Sequence, residues 1–308
     1  MRFSVELSSN ASKSLLLRTP VLTASGTFGN GVDYNRFIDI QALGGVISKA
    51  VTLKAREGNP QPRILEVDSG MLNSIGLQNI GVDQVILKVA PVWATWKIPV
   101  IVNIAATRAK DYGELSRRLD NVDGISGIEI NISCPNVEDG MEFGTDPKMA
   151  AKVTREVRGK TSLPVIVKLT PNAPDITDVA QAVYSEGADA LTIANTMPAS
   201  TINQSRKTES LGWGEGGLSG PALKQTNLKL VASVARSVPL PIIGSGGIMS
   251  GQDALDYILA GATAVQVGTA TFTNPNAAID ITEELLTLMK KCGASNVSEI
   301  IGSGLNGN

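Results

Sequence analysis

Eight short apolar runs, most of them separated by helical patterns, predict an α/β fold for this 308-residue chain, a (β/α)8 TIM barrel with long active-site loop insertions. Three observations carry the prediction. The runs are nearly continuous in Val and Ile, as suits parallel strands covered on both faces. Strand and helix patterns alternate through eight units, the signature of the closed barrel. An open doubly wound sheet would compete, but its dinucleotide fingerprint is absent: 26–31 and 214–220 are glycine-rich without the required spacing or strand-to-helix setting.

In chain order, the predicted barrel strands are 21–24, 45–50, 100–105, 128–133, 165–169, 190–194, 241–244 and 264–267. Helices are predicted at 34–41, 82–96, 110–119, 146–159, 176–186, 221–236, 251–260 and 276–291. Val82, Val85, Ile86, Val89, Val92, Trp93 and Trp96 form a helical stripe that reads as core or subunit contact. Pro221 and Pro275 suit helix starts. Residues 1–10 alternate Phe3, Val5 and Leu7 with polar neighbours, a strand pattern unlike a signal peptide or a membrane span. Two connections, 51–81 and 197–220, are too long for simple βα loops. Both follow the C-terminal end of a strand, where barrels build active sites. Within the first, 73–79 mixes amides and glycine with Ile75 and Leu77, suited to closing over a planar polar ligand.

Composition narrows the chemistry. A chain 43% hydrophobic and 18% charged buries one large core, so residues 1–308 read as a single domain. A net charge of −2 gives no reason to expect a nucleic acid or a membrane surface as partner. The chain has no histidine, which excludes Ser-His-Asp triads and His-bearing metal sites. Its two cysteines, Cys134 and Cys292, form no metal-spaced pair and suggest a reducing compartment, hence the cytoplasm.

Without histidine, proton transfer near neutral pH falls to a carboxylate, lysine, tyrosine or thiol. Residues 127–136 read as a buried strand in which Ile128, Ile130 and Ile132 alternate with Glu129, Asn131 and Ser133, ended by Pro135. Its C-terminal end gathers Asn131, Ser133, Cys134 and Asn136. A lone Cys in such a place is commonly a small packing residue. The other strand ends add Ser25, Lys49, Asn103, Lys168, Asn195 and Thr196. Lysines next to apolar strands are costly unless paired. Two of them with three amides on one face imply a large, polar, electron-rich ligand. Gly246 and Gly247 after the seventh strand, with Gly268 and Thr269 after the eighth, leave backbone N–H groups uncovered where barrels bind phosphate. The set points to a phosphorylated heteroaromatic cofactor. FMN suits the amides; pyridoxal phosphate on Lys49 or Lys168 is the rival.

From about Leu22 to about Leu285 the chain resembles the class 1 dihydroorotate dehydrogenases. The resemblance rests on 23–29 (TASGTFG), 56–60 (REGNP), 71–79 (MLNSIGLQN), 131–136 (NISCPN), Asn195-Thr196 and 244–248 (GSGGI), and it is strongest to subgroup 1B. It implies oxidation of dihydroorotate to orotate in UMP biosynthesis, with hydride passing to FMN and Cys134 as base beside Lys49. It places FMN against Ser25, Lys49, Ala50, Asn103, Asn131, Lys168 and Ala194, with phosphate on Gly220, Gly246, Gly247, Gly268 and Thr269. Substrate is expected at Lys49, Asn73, Ser74, Ile75, Gly76, Leu77, Asn131, Asn195 and Thr196. The subgroup further implies an iron–sulfur, FAD-containing partner that delivers electrons to NAD, around paired catalytic subunits in a heterotetramer. No bound metal is expected, and two cysteines cannot hold an iron–sulfur cluster. Class 1A enzymes, which use fumarate, dihydropyrimidine dehydrogenases and a non-redox phosphate-binding barrel are the alternatives. Class 2 enzymes use a serine base and an N-terminal extension, and the resemblance leads to neither being expected here.

Overall fold

The computed structural model describes residues 3–8, 14–133, 142–205 and 207–305. Eight parallel strands form the barrel: β1 (Val21–Thr23), β2 (Val46–Ile47), β3 (Val100–Ile104), β4 (Gly127–Asn131), β5 (Val165–Lys168), β6 (Ala190–Ile193), β7 (Ile242–Ser245) and β8 (Ala264–Val267). From β2 to β8 each strand pairs with its sequence neighbour, β6 meeting β7 across the long second insertion. β8 pairs with β1, and a parallel bridge between Leu22 and Gly45 closes the ring. Every predicted strand is present, each within a few residues of its expected ends.

The strands are buried on both faces because helices cover the outside and side chains fill the inside. The covering helices are Ala109–Leu119, Pro147–Arg158, Ile176–Ser185, Lys224–Ala235, Gly251–Leu259 and Ala277–Lys291. Capping sets several starts: Asp146, Asp175 and Ser250 each accept a backbone N–H of the first turn. No helix among the described residues is long and apolar enough to cross a membrane.

Three predicted elements need correction. Residues 34–41 form two 3-10 turns, Tyr34–Arg36 and Ile40–Ala42, instead of one helix. Asp39 lies between them in an extended conformation and accepts from the Gln41 N–H, a local bond that competes with helix. Residues 82–93 are helical, but Val85–Val89 winds as a π-turn. Pro91 supplies no N–H and its ring crowds the carbonyl four residues back, which a wider turn relieves. Its stripe is core: Val82, Val85, Val89 and Trp93 are buried. At the N-terminus, the strand is only Val5–Glu6, paired antiparallel with Leu16–Leu17 in a hairpin the sequence reading did not anticipate.

The larger omission lies in the two insertions, which fold together. Ile64–Val67, Gly70–Asn73, Gly216–Ser219 and Met197–Ala199 make a four-stranded antiparallel sheet over the barrel mouth. Its central register sets Asn73 opposite Gly217 and Met71 opposite Ser219. A sheet is a stiffer wall than two independent loops, since each strand satisfies the other's backbone groups.

One close approach tests the packing that aims β7 at the mouth. Gly244 faces Tyr257, a fully buried ring whose hydroxyl donates to the Gly246 carbonyl at 2.7 Å. A Cβ at Gly244 would lie 2.3 Å from the ring's Cδ1. Gly244→Ala is therefore expected to destabilise the chain by about 1–3 kcal/mol through overpacking. Urea unfolding of the two proteins checks this, and equal midpoints would contradict it.

Candidate active site

At the C-terminal ends of the strands lies a cavity of about 610 Å³, walled by the strand ends, the βα loops and the antiparallel sheet. Its floor is a polar layer inside the barrel. Register alone brings the layer together: Asn103 lies beside Glu129, Thr192 beside Lys168, and Ser245 beside Gln266. Glu129 is fully buried and accepts three hydrogen bonds. Asn103 donates to its Oε1 at 2.7 Å, and Thr192 and Gln266 donate to its Oε2 at 2.8 and 2.6 Å. Gln266 turns its carbonyl toward the Lys168 ammonium at 3.4 Å, and Ser25 Oγ accepts from the same ammonium at 3.5 Å. Burial pushes the Lys168 pKa below the ordinary lysine value, while the Glu129 charge acts in the opposite sense.

Above this floor, one side of the cavity is a cluster of amides. Asn195 Nδ2 donates to Asn131 Oδ1 at 3.1 Å and to Ser133 Oγ at 2.9 Å. The Asn131 backbone is fixed by Tyr112, a buried residue whose hydroxyl donates to its carbonyl at 2.7 Å. Asn73 reaches in from the covering sheet, tied to the Gly217 carbonyl at 3.1 Å. Lys49 stands half-buried on this side, and its pKa is lowered first by burial and then by the Arg63 charge. Two ammonium groups with amides between them make a site for a ligand carrying carbonyl and carboxylate oxygens.

The opposite side is glycine backbone. Gly246 and Gly247 follow β7 with φ of 109° and 72°, a conformation that favours glycine, and a Cβ on Gly246 would lie 2.3 Å from Asn227 Nδ2. Gly268, Thr269 and Gly220 complete this wall, with Thr269 Oγ1 donating to Ser219 Oγ at 2.9 Å. A bare backbone wall accommodates an anion close to N–H groups.

These features fit an aromatic ring with a phosphate tail. The floor holds an unanswered acceptor, because Asn103 Oδ1 is buried without a partner among the described residues. A buried orphan of this kind costs roughly 1–3 kcal/mol unless a ligand group satisfies it. The polar floor, the cation beside it and the glycine wall therefore suit FMN. No group of side chains able to hold a metal ion occurs among the described residues.

Ser25, Lys49, Ala50, Asn103, Asn131, Lys168, Ala194, Gly220, Gly246, Gly247, Gly268 and Thr269 all line this one cavity. So do Asn73, Ser74, Ile75, Gly76, Leu77, Asn195 and Thr196. Cys134, Pro135 and Asn136 lie outside the described residues. The sequence reading missed Glu129, Thr192 and Gln266 as a connected floor, although a Glu and a Gln amid Val and Ile were visible signals. It also missed Glu142, which lines the cavity and accepts from Thr170 Oγ1 at 3.0 Å. Arg56, Met71 and Trp213 complete the mouth, and only the folding of the insertions reveals them.

Comparison with known proteins identifies the family. The family model described as dihydroorotate dehydrogenase matches residues 9–289. A protein of a Geobacter species named dihydroorotate dehydrogenase B (NAD(+)), catalytic subunit, is 48% identical, over 93% of this chain and 94% of its own length. Proteins of the same name from Desulforamulus reducens and Geotalea daltonii are 48% and 46% identical, over 92% and 97% of this chain and 94% and 97% of theirs. With nearly the whole length matched at this identity, the chain belongs to the dihydroorotate dehydrogenase family, and the relatives named here are its NAD-linked B-type catalytic subunits.

Proposed function

We propose that this chain oxidises dihydroorotate to orotate in pyrimidine (UMP) biosynthesis, holding FMN in the barrel mouth and passing electrons to NAD through a second subunit. The observation that carries the reading is the convergence of two ammonium groups, an amide cluster and a glycine wall on one cavity of about 610 Å³. FMN, when bound, supplies the hydride acceptor.

The residues divide the work between the two ligands. Ser25, Lys49, Ala50, Asn103, Asn131, Lys168 and Ala194 hold the ring, and Gly220, Gly246, Gly247, Gly268 and Thr269 hold the phosphate. Lys168 would place its buried positive charge beside the ring, and its burial in a low-dielectric floor would strengthen that field. Asn73, Asn131, Asn195 and Thr196 face the imide and carboxylate edges of dihydroorotate. Lys49 faces its carboxylate, and Ser74 to Leu77 close over it. An apolar analogue would leave these polar groups unpaired, which is a strong basis for rejection. Cys134, three residues after Asn131 in the sequence, would serve as the base that takes the C5 proton of dihydroorotate.

The partner is proposed to carry FAD and an iron–sulfur cluster, around paired catalytic subunits in a heterotetramer in the cytoplasm. The names of the relatives, which specify a catalytic subunit and NAD, support this over fumarate as acceptor. The chain itself lacks a dinucleotide fingerprint.

Two measurements test the reading. In stopped-flow reduction of the bound flavin by dihydroorotate, Cys134→Ser is expected to slow the step at least ~100-fold at pH 7, since a positioned base contributes on the order of 10²–10⁴. The rate should recover partly as pH rises, because an alcohol is a far weaker acid than a thiol of ordinary pKa about 8.5. An unaltered rate with flavin still bound would make Cys134 a packing residue. Separately, the isolated chain should turn over dihydroorotate with an artificial dye but poorly with NAD. Comparable turnover on both acceptors would remove the need for a partner.

A further inference from the structure

Among the described residues Glu129 is the one carboxylate in the barrel floor, and neither its strand nor the proposed chemistry requires an acid there. It projects from the middle of β4 into a layer otherwise made of amides, a hydroxyl and an ammonium. A carboxylate only accepts, so the three groups that touch it must present donors. That requirement fixes the direction of each. Asn103 gives its Nδ2 to Glu129 and keeps Oδ1 without a partner among the described residues. Gln266 gives its Nε2 to Glu129, at 2.6 Å, and must therefore turn Oε1 to Lys168, at 3.4 Å. Thr192 gives its hydroxyl hydrogen to Glu129 and accepts from Gln266 at 3.2 Å. A neutral amide in place of Glu129 would impose no such polarity.

The charge matters as well as the direction. Lys168 is 5% exposed and Glu129 0%. Two opposite charges that share one bridging amide in a dry interior stabilise each other strongly, and either alone would be a costly buried ion. Resting on the reading of the cavity as an FMN site, we propose that Glu129 is a positioning residue that orients the floor amides and offsets the Lys168 charge, setting the reduction potential of the bound cofactor. With Glu129 present, the ring meets a partly neutralised lysine. With Glu129 removed, it meets a full positive charge, and the reduced, more negative cofactor gains most.

The experiment compares the midpoint potential of FMN in the wild-type protein with that in Glu129→Gln and Thr192→Val. Glu129→Gln keeps the shape and removes the charge. It is expected to raise the potential by at least a tenfold shift in the reduction equilibrium, about 30 mV for a two-electron couple. Thr192→Val removes one hydrogen bond to the carboxylate and keeps the charge, so the potential should stay where it is. A Glu129→Gln potential that is unchanged or lower overturns the proposal, and so does an equal shift in Thr192→Val, which would make the effect one of packing.

A second arm needs no cofactor. In the flavin-free chain, Lys168→Met leaves the Glu129 charge uncompensated, so the Glu129→Gln/Lys168→Met double variant should melt at a higher temperature than Lys168→Met alone. A double variant no more stable than Lys168→Met contradicts the charge pairing. This arm decides the matter even where Glu129→Gln alone does not fold. If the wild-type chain binds no FMN, the functional reading fails while the pairing of Glu129 with Lys168 is still tested.

Discussion

Lys168 ends β5 with its ammonium buried in the barrel floor, and the architecture of the site follows from what that charge demands. An uncompensated ion in such a place costs several kcal/mol, and breaking a buried pair typically costs about 3–5 kcal/mol. The floor meets the demand with Glu129 on β4 and Gln266 on β8, linked by bonds whose directions the carboxylate dictates. These residues sit on different strands, so the arrangement depends on barrel closure and on register. A one-residue slip of β4 against β5 would turn Glu129 out of the barrel and Lys168 would lose its counter-charge. The fold and the electrostatics of the site are thus one problem.

The covering sheet solves a second problem, that of water. A charge at the open end of a barrel is screened, and its effect on a reacting ring is small. Gly70–Asn73 and Gly216–Ser219 pair across the mouth and bring Asn73 down to the amide cluster. The insertions therefore contribute both a wall and substrate-facing groups. The floor acts on the cofactor from below and the sheet encloses the substrate from above, while Tyr112 and Tyr257 hold the Asn131 and Gly246 backbones between them.

Much of this was legible in the sequence because barrels concentrate function at strand ends. Lys49, Asn103, Asn131, Lys168 and Asn195 could be picked out as polar residues at the ends of apolar runs, and the cavity gathers all of them. Local patterns could not show the covering sheet, because its strands are short and pair between insertions more than a hundred residues apart in the chain. Glu129, Thr192 and Gln266 were each visible as polar breaks in apolar strands. Their connection was not, since it arises from neighbours in the barrel and not in sequence. The helix predicted at 34–41 failed for a local reason, the Asp39 side chain bonding to the Gln41 N–H. At 82–96, Pro91 was readable as a helix disturbance but its π-turn was not.

The central claim is that the glycine wall after β7 and β8 and the polar floor beneath it together hold a phosphorylated flavin. Titration of the flavin-free chain with FMN and, separately, with riboflavin measures this most directly, because the two share a ring and differ only in phosphate. The account predicts one FMN per chain and binding at least tenfold tighter than riboflavin, since charge-assisted hydrogen bonds to the phosphate are each worth about 1.5–3 kcal/mol. Equal affinity for the two would show that the glycine wall holds no phosphate, and binding of neither would contradict the account of the cavity as a whole.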